Sequence, residues 1–264
     1  MIFKGNGGKA FCAGGELKTI YEERMKSNIE YIFAFFTELF TLFYRAKIIK
    51  PIQIAFWDGI VIGAGAGLTI NAPIKIATEY TDFSMSGKNN NLLLFKKNEL
   101  EAKVGLFLGI GGGYHFSRMR NYLGYYLGLT GFSLKGKEAV QVGLADFFVK
   151  REKLQELELE ILEKTNQKTT VEDLRKIVRN YAEPVENKFE HEELIGKVFG
   201  KSSVEEIFKE LEIVSETNSF AKKMLEAMKL LSPTSLKIIF EQLKRGESLD
   251  LKENLKMDYR IGYR

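Results

Sequence analysis

Two glycine-rich stretches are the residues of this chain whose types and spacing can do chemistry. Gly5-Asn6-Gly7-Gly8-Lys9-Ala10-Phe11-Cys12-Ala13-Gly14-Gly15-Glu16 sets small residues just before a helical pattern, and Trp57-Asp58-Gly59-Ile60-Val61-Ile62-Gly63-Ala64-Gly65-Ala66-Gly67 does so again. Small residues leave the backbone N–H groups of a helix start uncovered, so each loop offers hydrogen-bond donors that need no side chain. Two such helix starts brought together would supply paired donors for one carbonyl oxygen, an oxyanion hole; the alternative is glycine serving tight turns alone. Neither stretch is G-x-G-x-x-G with an acid downstream, and G-x-x-x-x-G-K-S/T is absent, so dinucleotide and P-loop readings are weak.

Other reactive side chains are few. Cys12 is the single cysteine, which excludes an internal disulfide and fits a reducing compartment; with no histidine beside it, it reads as a small packing residue. His115 and His191 lie far apart without metal-ligand spacing, so no metal site is expected, and His115 between Tyr114 and Phe116 reads as a core or boundary histidine.

The elements that must position the two loops come from the pattern of the chain. Of 24 glycines, 20 fall in residues 1–149, whereas 45 of the 74 charged residues fall in 150–264. The spacing predicts an α/β core over 1–150 and a helical C-terminal region over 151–264. Within the core, Met1 to Lys4 reads as a strand end, Gly5 to Gly15 as a loop, Glu16 to Lys47 as one helix, Ile52 to Phe56 as a buried strand and Gly63 to Ile70 as a helix. Beyond it, Leu154 to Thr165, Val171 to Tyr181, Ser203 to Glu212 and Ser219 to Leu231 read as helices. A last helix starts at the cap Ser232 with Pro233 at its first position. The net charge is +4 with acids and bases interspersed, so the chain lacks the basic stripe of a dedicated nucleic-acid reader; no DNA partner is expected. Ile29 to Phe43, interrupted by Glu30 and Glu38, is too short to span a membrane, and no presequence is visible.

Lys9 to Glu16, Lys50-Pro51 through Gly59 to Leu68, Val104 to Phe107 and Gly111-Gly112-Gly113-Tyr114 resemble the crotonase (enoyl-CoA hydratase/isomerase) superfamily. Leu123 to Gly131, Ser232 to Lys237 and Met257-Asp258-Tyr259-Arg260 are similar to its 3-hydroxyisobutyryl-CoA hydrolase branch. The resemblance implies a spiral of ββα units, truncated at the N-terminus and followed by helices. It also implies that the amides of Gly15 and Ala64 polarise an acyl-CoA thioester, a substrate rather than a cofactor. Gly67 stands where hydratases carry a glutamate. Glu38 falls on a substrate-contacting glutamate of the hydrolases and Glu101 on the glutamate of their Pro-Glu-Thr motif. A plainer reading stays open for both acids: Glu38, among Phe35, Phe36, Leu39 and Phe40, at a helix edge, and Glu101, after Glu99, in a solvated loop.

Four departures weigh against catalysis. Gly109 occupies the position of the acid that follows Glu101 by eight residues, and glycine cannot move a proton. Leu100 replaces the proline before Glu101, and about fourteen extra residues, Ser86 to Glu99, intrude where the family needs a rigid segment. By the family pattern, the opening strands are missing and the chain stops before the closing segment. These departures suggest a degenerate hydrolase homologue serving as a structural subunit, and the resemblance, whose hydrolase branch includes recruited components of the mitochondrial small ribosomal subunit, implies that assembly, with protein neighbours and ribosomal RNA nearby. The alternative is an active 3-hydroxyisobutyryl-CoA hydrolase completed by a separate N-terminal polypeptide.

Overall fold

The computed structural model describes residues 1–15, 17–84, 107–109 and 111–263. Its elements begin with β1 (Ile2–Lys4), β2 (Ala10–Ala13), α1 (Leu17–Met25), α2 (Ile29–Ile48), β3 (Ile54–Trp57), β4 (Ile60–Ile62), α3 (Ala64–Thr69), β5 (Ile74–Ala77) and β6 (Asp82–Ser84). Next come α4 (Gly112–Ser117), α5 (Leu123–Thr130), β7 (Leu134–Lys135), α6 (Lys137–Gln141), β8 (Phe147–Phe148), α7 (Leu154–Lys164) and α8 (Val171–Arg179). Helices α9 (Glu192–Phe199), α10 (Val204–Ser215), α11 (Ser219–Lys229), α12 (Pro233–Gly246) and α13 (Leu251–Tyr263) follow.

Contacts divide the chain into two compact units that interleave in sequence. Unit 1 takes Met1–Gly15, Arg45–Phe83 and Leu134–Phe189; unit 2 takes Glu16–Tyr44, Ser84–Ser133 and Glu190–Arg264. This division differs from the expected boundary at residue 150. Helices α7 and α8 lie beyond the change in composition yet complete the α/β unit, because glycine content marks the loops of the sheets and not the helices that cover them.

Unit 1 holds two sheets. In one, β1, β3, β5 and β8 run parallel, with Ile54 opposite Ile2 and Ile74. Ile54, Phe56, Ile74 and Ile76 pack on Leu157 and Ile161 of α7 and on Leu174 and Val178 of α8. On the other face Ala55 and Trp57 are equally buried, and Trp57 stacks on Phe83 with ring centroids 5.1 Å apart. Burial on both faces explains why β3 is apolar throughout instead of alternating. The second sheet has the order β2-β4-β6-β7; β2 pairs parallel with β4, and β6 antiparallel with β7.

Two expected elements change. The stretch Gly5 to Gly15 contains β2, so it is a strand flanked by turns. The single helix expected from Glu16 to Lys47 breaks into α1 and α2 at Ser27, whose φ of 58° is left-handed. Asn28 restarts the helix by accepting the Tyr31 N–H at 3.3 Å while donating to Glu23 at 2.7 Å, the local competition with the backbone that Asn and Ser offer.

In unit 2, Ser232 caps α12 by accepting the Ser235 N–H, with Pro233 at the first position as the sequence predicts. Gly246 lies inside α12, where a Cβ would stand 2.3 Å from the Gly113 carbonyl oxygen of α4. Likewise a Cβ on Gly124 of α5 would stand 1.8 Å from the Phe116 carbonyl oxygen. The backbones are in direct contact, and α13, which the spacing does not predict, lays Leu251 and Leu255 against Gly111. Among the described residues no helix is long and apolar enough to cross a membrane.

The Gly124 contact is testable by thermal unfolding. Gly124→Ala must force the two backbones apart and is expected to cost about 1–3 kcal/mol; an unchanged Tm would contradict the packing.

Candidate functional site

Both glycine-rich loops belong to unit 1. Strand β2 runs into Gly14, at φ 100°, and Gly15; β4 runs into Gly63, at φ 61°, which caps α3 so that Ala64 is its first residue. A Cβ on Gly63 would lie 2.8 Å from Gly14 Cα, and one on Gly65 would lie 2.2 Å from Cys12 Cβ. Only glycine permits this contact, and Cys12 packs within it.

An N–H in the first turn of a helix has no acceptor in its own helix. Among the described residues, neither the Ala64 nor the Gly15 N–H has an acceptor. Donors presented from two touching loops, with their loops held by the packing beneath, are suited to an oxygen on which negative charge develops.

The carboxylates expected at the site are less gathered. Glu38 is exposed on α2 and makes no hydrogen bond or ion pair among the described residues. Glu101 lies outside the described residues. Gly109 sits in a turn of unit 2, donating its N–H to the Phe107 carbonyl at 2.9 Å and accepting the Gly112 N–H at 3.0 Å. Among the described residues a Cβ at Gly109 would meet the Phe107 ring, at the ordinary contact distances of 3.7 and 3.9 Å. The structure places Gly15 and Ala64 in unit 1, each next in sequence to one of the touching glycines Gly14 and Gly63, and Glu38 and Gly109 in unit 2.

Sequence reasoning misses two residues that hold the Gly109 turn. Asp258 of α13 is fully buried and accepts the Gly111 N–H through Oδ2 at 2.8 Å. Gln242 of α12 donates through Nε2 to Asp258 Oδ1 at 3.0 Å. Both interrupt apolar stripes, Asp258 after Leu251 and Leu255, and Gln242 beside Ile239 and Leu243. A polar residue on a buried face is the signal that could have found them. Of the histidines, His115 is half-buried with its ring edge-on to Tyr114, and His191 stacks on Phe220 at 4.1 Å. Among the described residues no group of three or more His, Cys, Asp or Glu is placed to hold a metal ion.

The arrangement of strands and helices is shared with solved structures. A carnitinyl-CoA dehydratase from Mycobacterium thermoresistibile superposes with a TM-score of 0.84 at 22% identity, over 99% of this chain and 70% of that one. An enoyl-CoA hydratase from Rhodobacter sphaeroides 2.4.1 gives 0.78 at 23%, over 100% and 70%. The fold is the crotonase fold. The family model described as enoyl-CoA hydratase/isomerase matches residues 1–264, and the chain belongs to that family. It is 37% identical over 266 residues to the mitochondrial 3-hydroxyisobutyryl-CoA hydrolase of Xenopus tropicalis, covering 99% of this chain and 65% of that protein. For the human protein of the same name the identity is 36% over 271 residues, covering 99% and 64%. The chain thus spans just under two thirds of these relatives' length.

Burial raises the Asp258 carboxyl from its ordinary 3.8 to about 7, against the opposing hydrogen bonds from Gly111 and Gln242. Below pH about 4 both folded and unfolded chains hold the proton and this group's full contribution is present; from there to about 7 only the folded chain retains it, so stability falls as pH rises. Urea unfolding across that range should show the decline in the wild type and a flatter profile in Asp258→Asn. A wild-type profile parallel to the variant would contradict the burial of the ionisable group.

Proposed function

We propose that the chain is an acyl-CoA thioester hydrolase acting on 3-hydroxyisobutyryl-CoA in the mitochondrion. The observation that carries this is the pair of amides at Gly15 and Ala64, without acceptors among the described residues and on loops in contact. In the proposed reaction the thioester carbonyl oxygen lies against these N–H groups. Water adds to the carbonyl carbon, the oxyanion is held by the two donors, and the C–S bond breaks to give the carboxylic acid and the coenzyme A thiol. Glu101 is the proposed base for that water and Glu38 the proposed substrate contact. The substrate and the compartment come from the names of the relatives, which shift the balance from the scaffold role expected above toward catalysis.

Ala64 allows a clean test of the amide. Proline is tolerated at the first position of a helix and has no N–H, so Ala64→Pro removes one donor while keeping α3. Thiol release from 3-hydroxyisobutyryl-CoA should fall by about 10²–10³ in kcat. Unchanged turnover in a folded Ala64→Pro protein would exclude the amide pair as the oxyanion site.

Gly109 favours a second reading, a subunit of a large mitochondrial assembly such as the small ribosomal subunit, in which catalysis has lapsed. A carboxylate restored at this position separates the two. Gly109→Asp should fold with wild-type Tm, and on the lapsed reading it should raise thioester hydrolysis from background. A working wild type that gains nothing from the carboxylate would remove the lapsed reading, as would failure of the chain to cosediment with a large mitochondrial particle.

A further inference from the structure

Arg151, three residues before α7, stands where two strands of unit 1 begin. Its Nε donates to both carboxylate oxygens of Asp58, at 2.9 and 2.8 Å, and its Nη2 donates to the Gly8 carbonyl at 2.9 Å. Asp58 precedes β4 by two residues and Gly8 precedes β2 by two, so one guanidinium joins the starts of the two strands whose far ends lead to Ala64 and Gly15. The group is seated from several sides. Its central carbon lies 3.6 Å over the Tyr80 ring, Thr78 Oγ1 donates to Asp58 Oδ1 at 2.6 Å, and the Arg151 N–H donates to Glu79 Oε2 at 3.0 Å. A partly exposed ion pair adds little stability by itself, whereas a planar fork with several fixed partners sets direction. The pairing it serves is short. Strand β2 meets β4 at Ala10–Ile60, Cys12–Val61 and Ala13–Ile62, with Phe11 the extra residue between the first two pairs. Gly14 then falls against Gly63; regular pairing onward from Ala10 would set Ala13 there and move the Gly15 amide along β4 by one residue, about 3.3 Å.

We propose that Arg151 and Asp58 are positioning residues that hold the start of β2 in register with the start of β4, and so set the spacing of the Gly15 and Ala64 amides for the thioester reaction. The kinetic consequence rests on the hydrolase reading, and the register rests on geometry alone.

The test compares the whole chain with three variants. Arg151→Met keeps the stem and removes every donor. Arg151→Lys keeps the charge opposite Asp58 but has no fork to bond Asp58 and Gly8 together, and it carries the same test if Arg151→Met fails to fold. Lys4→Met breaks the Lys4–Glu158 pair, which lines the same hollow as Arg151, and is the control. By NMR, an NOE between the α-hydrogens of Gly14 and Gly63 should be present in wild type and Lys4→Met and lost in both Arg151 variants. With 3-hydroxyisobutyryl-CoA, Arg151→Met should lose about a hundredfold in kcat with KM little changed, Arg151→Lys should recover little of it, and Lys4→Met should match wild type. Full recovery in Arg151→Lys would assign the effect to charge and overturn the bridge. So would an intact NOE and kcat in folded Arg151→Met, or an equal loss in Lys4→Met. If wild type releases no thiol the hydrolase reading fails, and the NOE still decides the register.

Discussion

Everything in unit 1 depends on how closely two backbones approach. Gly65 lies against Cys12 and Gly63 against Gly14 at separations that leave no volume for a methyl group. The approach is anchored from below. The Trp57 indole N–H donates to Thr69 Oγ1 at 2.9 Å, and that hydroxyl donates to the Gly65 carbonyl at 2.7 Å, so the sheet core is tied through two hydrogen bonds to the start of α3. Buried bonds of this kind fix geometry because leaving any member unpaired is costly. In the proposed reaction the Ala64 donor is therefore set before the thioester arrives, which is the condition for electrostatic stabilisation without reorganisation.

The two units treat backbone polarity in opposite ways. Unit 1 leaves the Gly15 and Ala64 amides without acceptors among the described residues, whereas unit 2 uses two buried side chains to pair one short turn. An unpaired donor that water can reach costs little, and one sealed in a core costs much, so each arrangement suits its burial. Arg118 shows the same economy at the end of α12, where its guanidinium reaches the carbonyls of Gly246, Glu247 and Leu249 and lies 3.9 Å over the Tyr114 ring. The C-terminal end of α12 in unit 2 is thus closed by a side chain from outside that helix.

Much of this is legible in the sequence where local chemistry decides it. The Ser232-Pro233 start of α12, the apolar run of β3 and the glycines before α3 carry their meaning within a few residues. The break at Ser27 is not legible in the helical spacing, because the left-handed φ of one residue and the Asn28 side-chain bonds to Tyr31 and Glu23 leave no mark on apolar periodicity. Strand β2 is hidden by flanking glycines, and its four residues mean little without β4 beside them. The interleaving of the units is a matter of contacts between distant segments, which composition cannot report. At the site, the glycine loops were visible as donors, while Gln242 and Asp258 acquire their role only when α12, α13 and the turn meet.

Trp57 has a practical consequence. It is the single tryptophan of the chain and lies wholly within unit 1, shielded from solvent, stacked on Phe83 and bonded to Thr69. Its fluorescence therefore reports on unit 1, and on the very anchor beneath α3, while the helices of unit 2 contribute only tyrosine and phenylalanine. The molecule carries an intrinsic optical label on one of its two units, so indole emission and far-UV ellipticity followed together distinguish concerted unfolding from stepwise loss of the units.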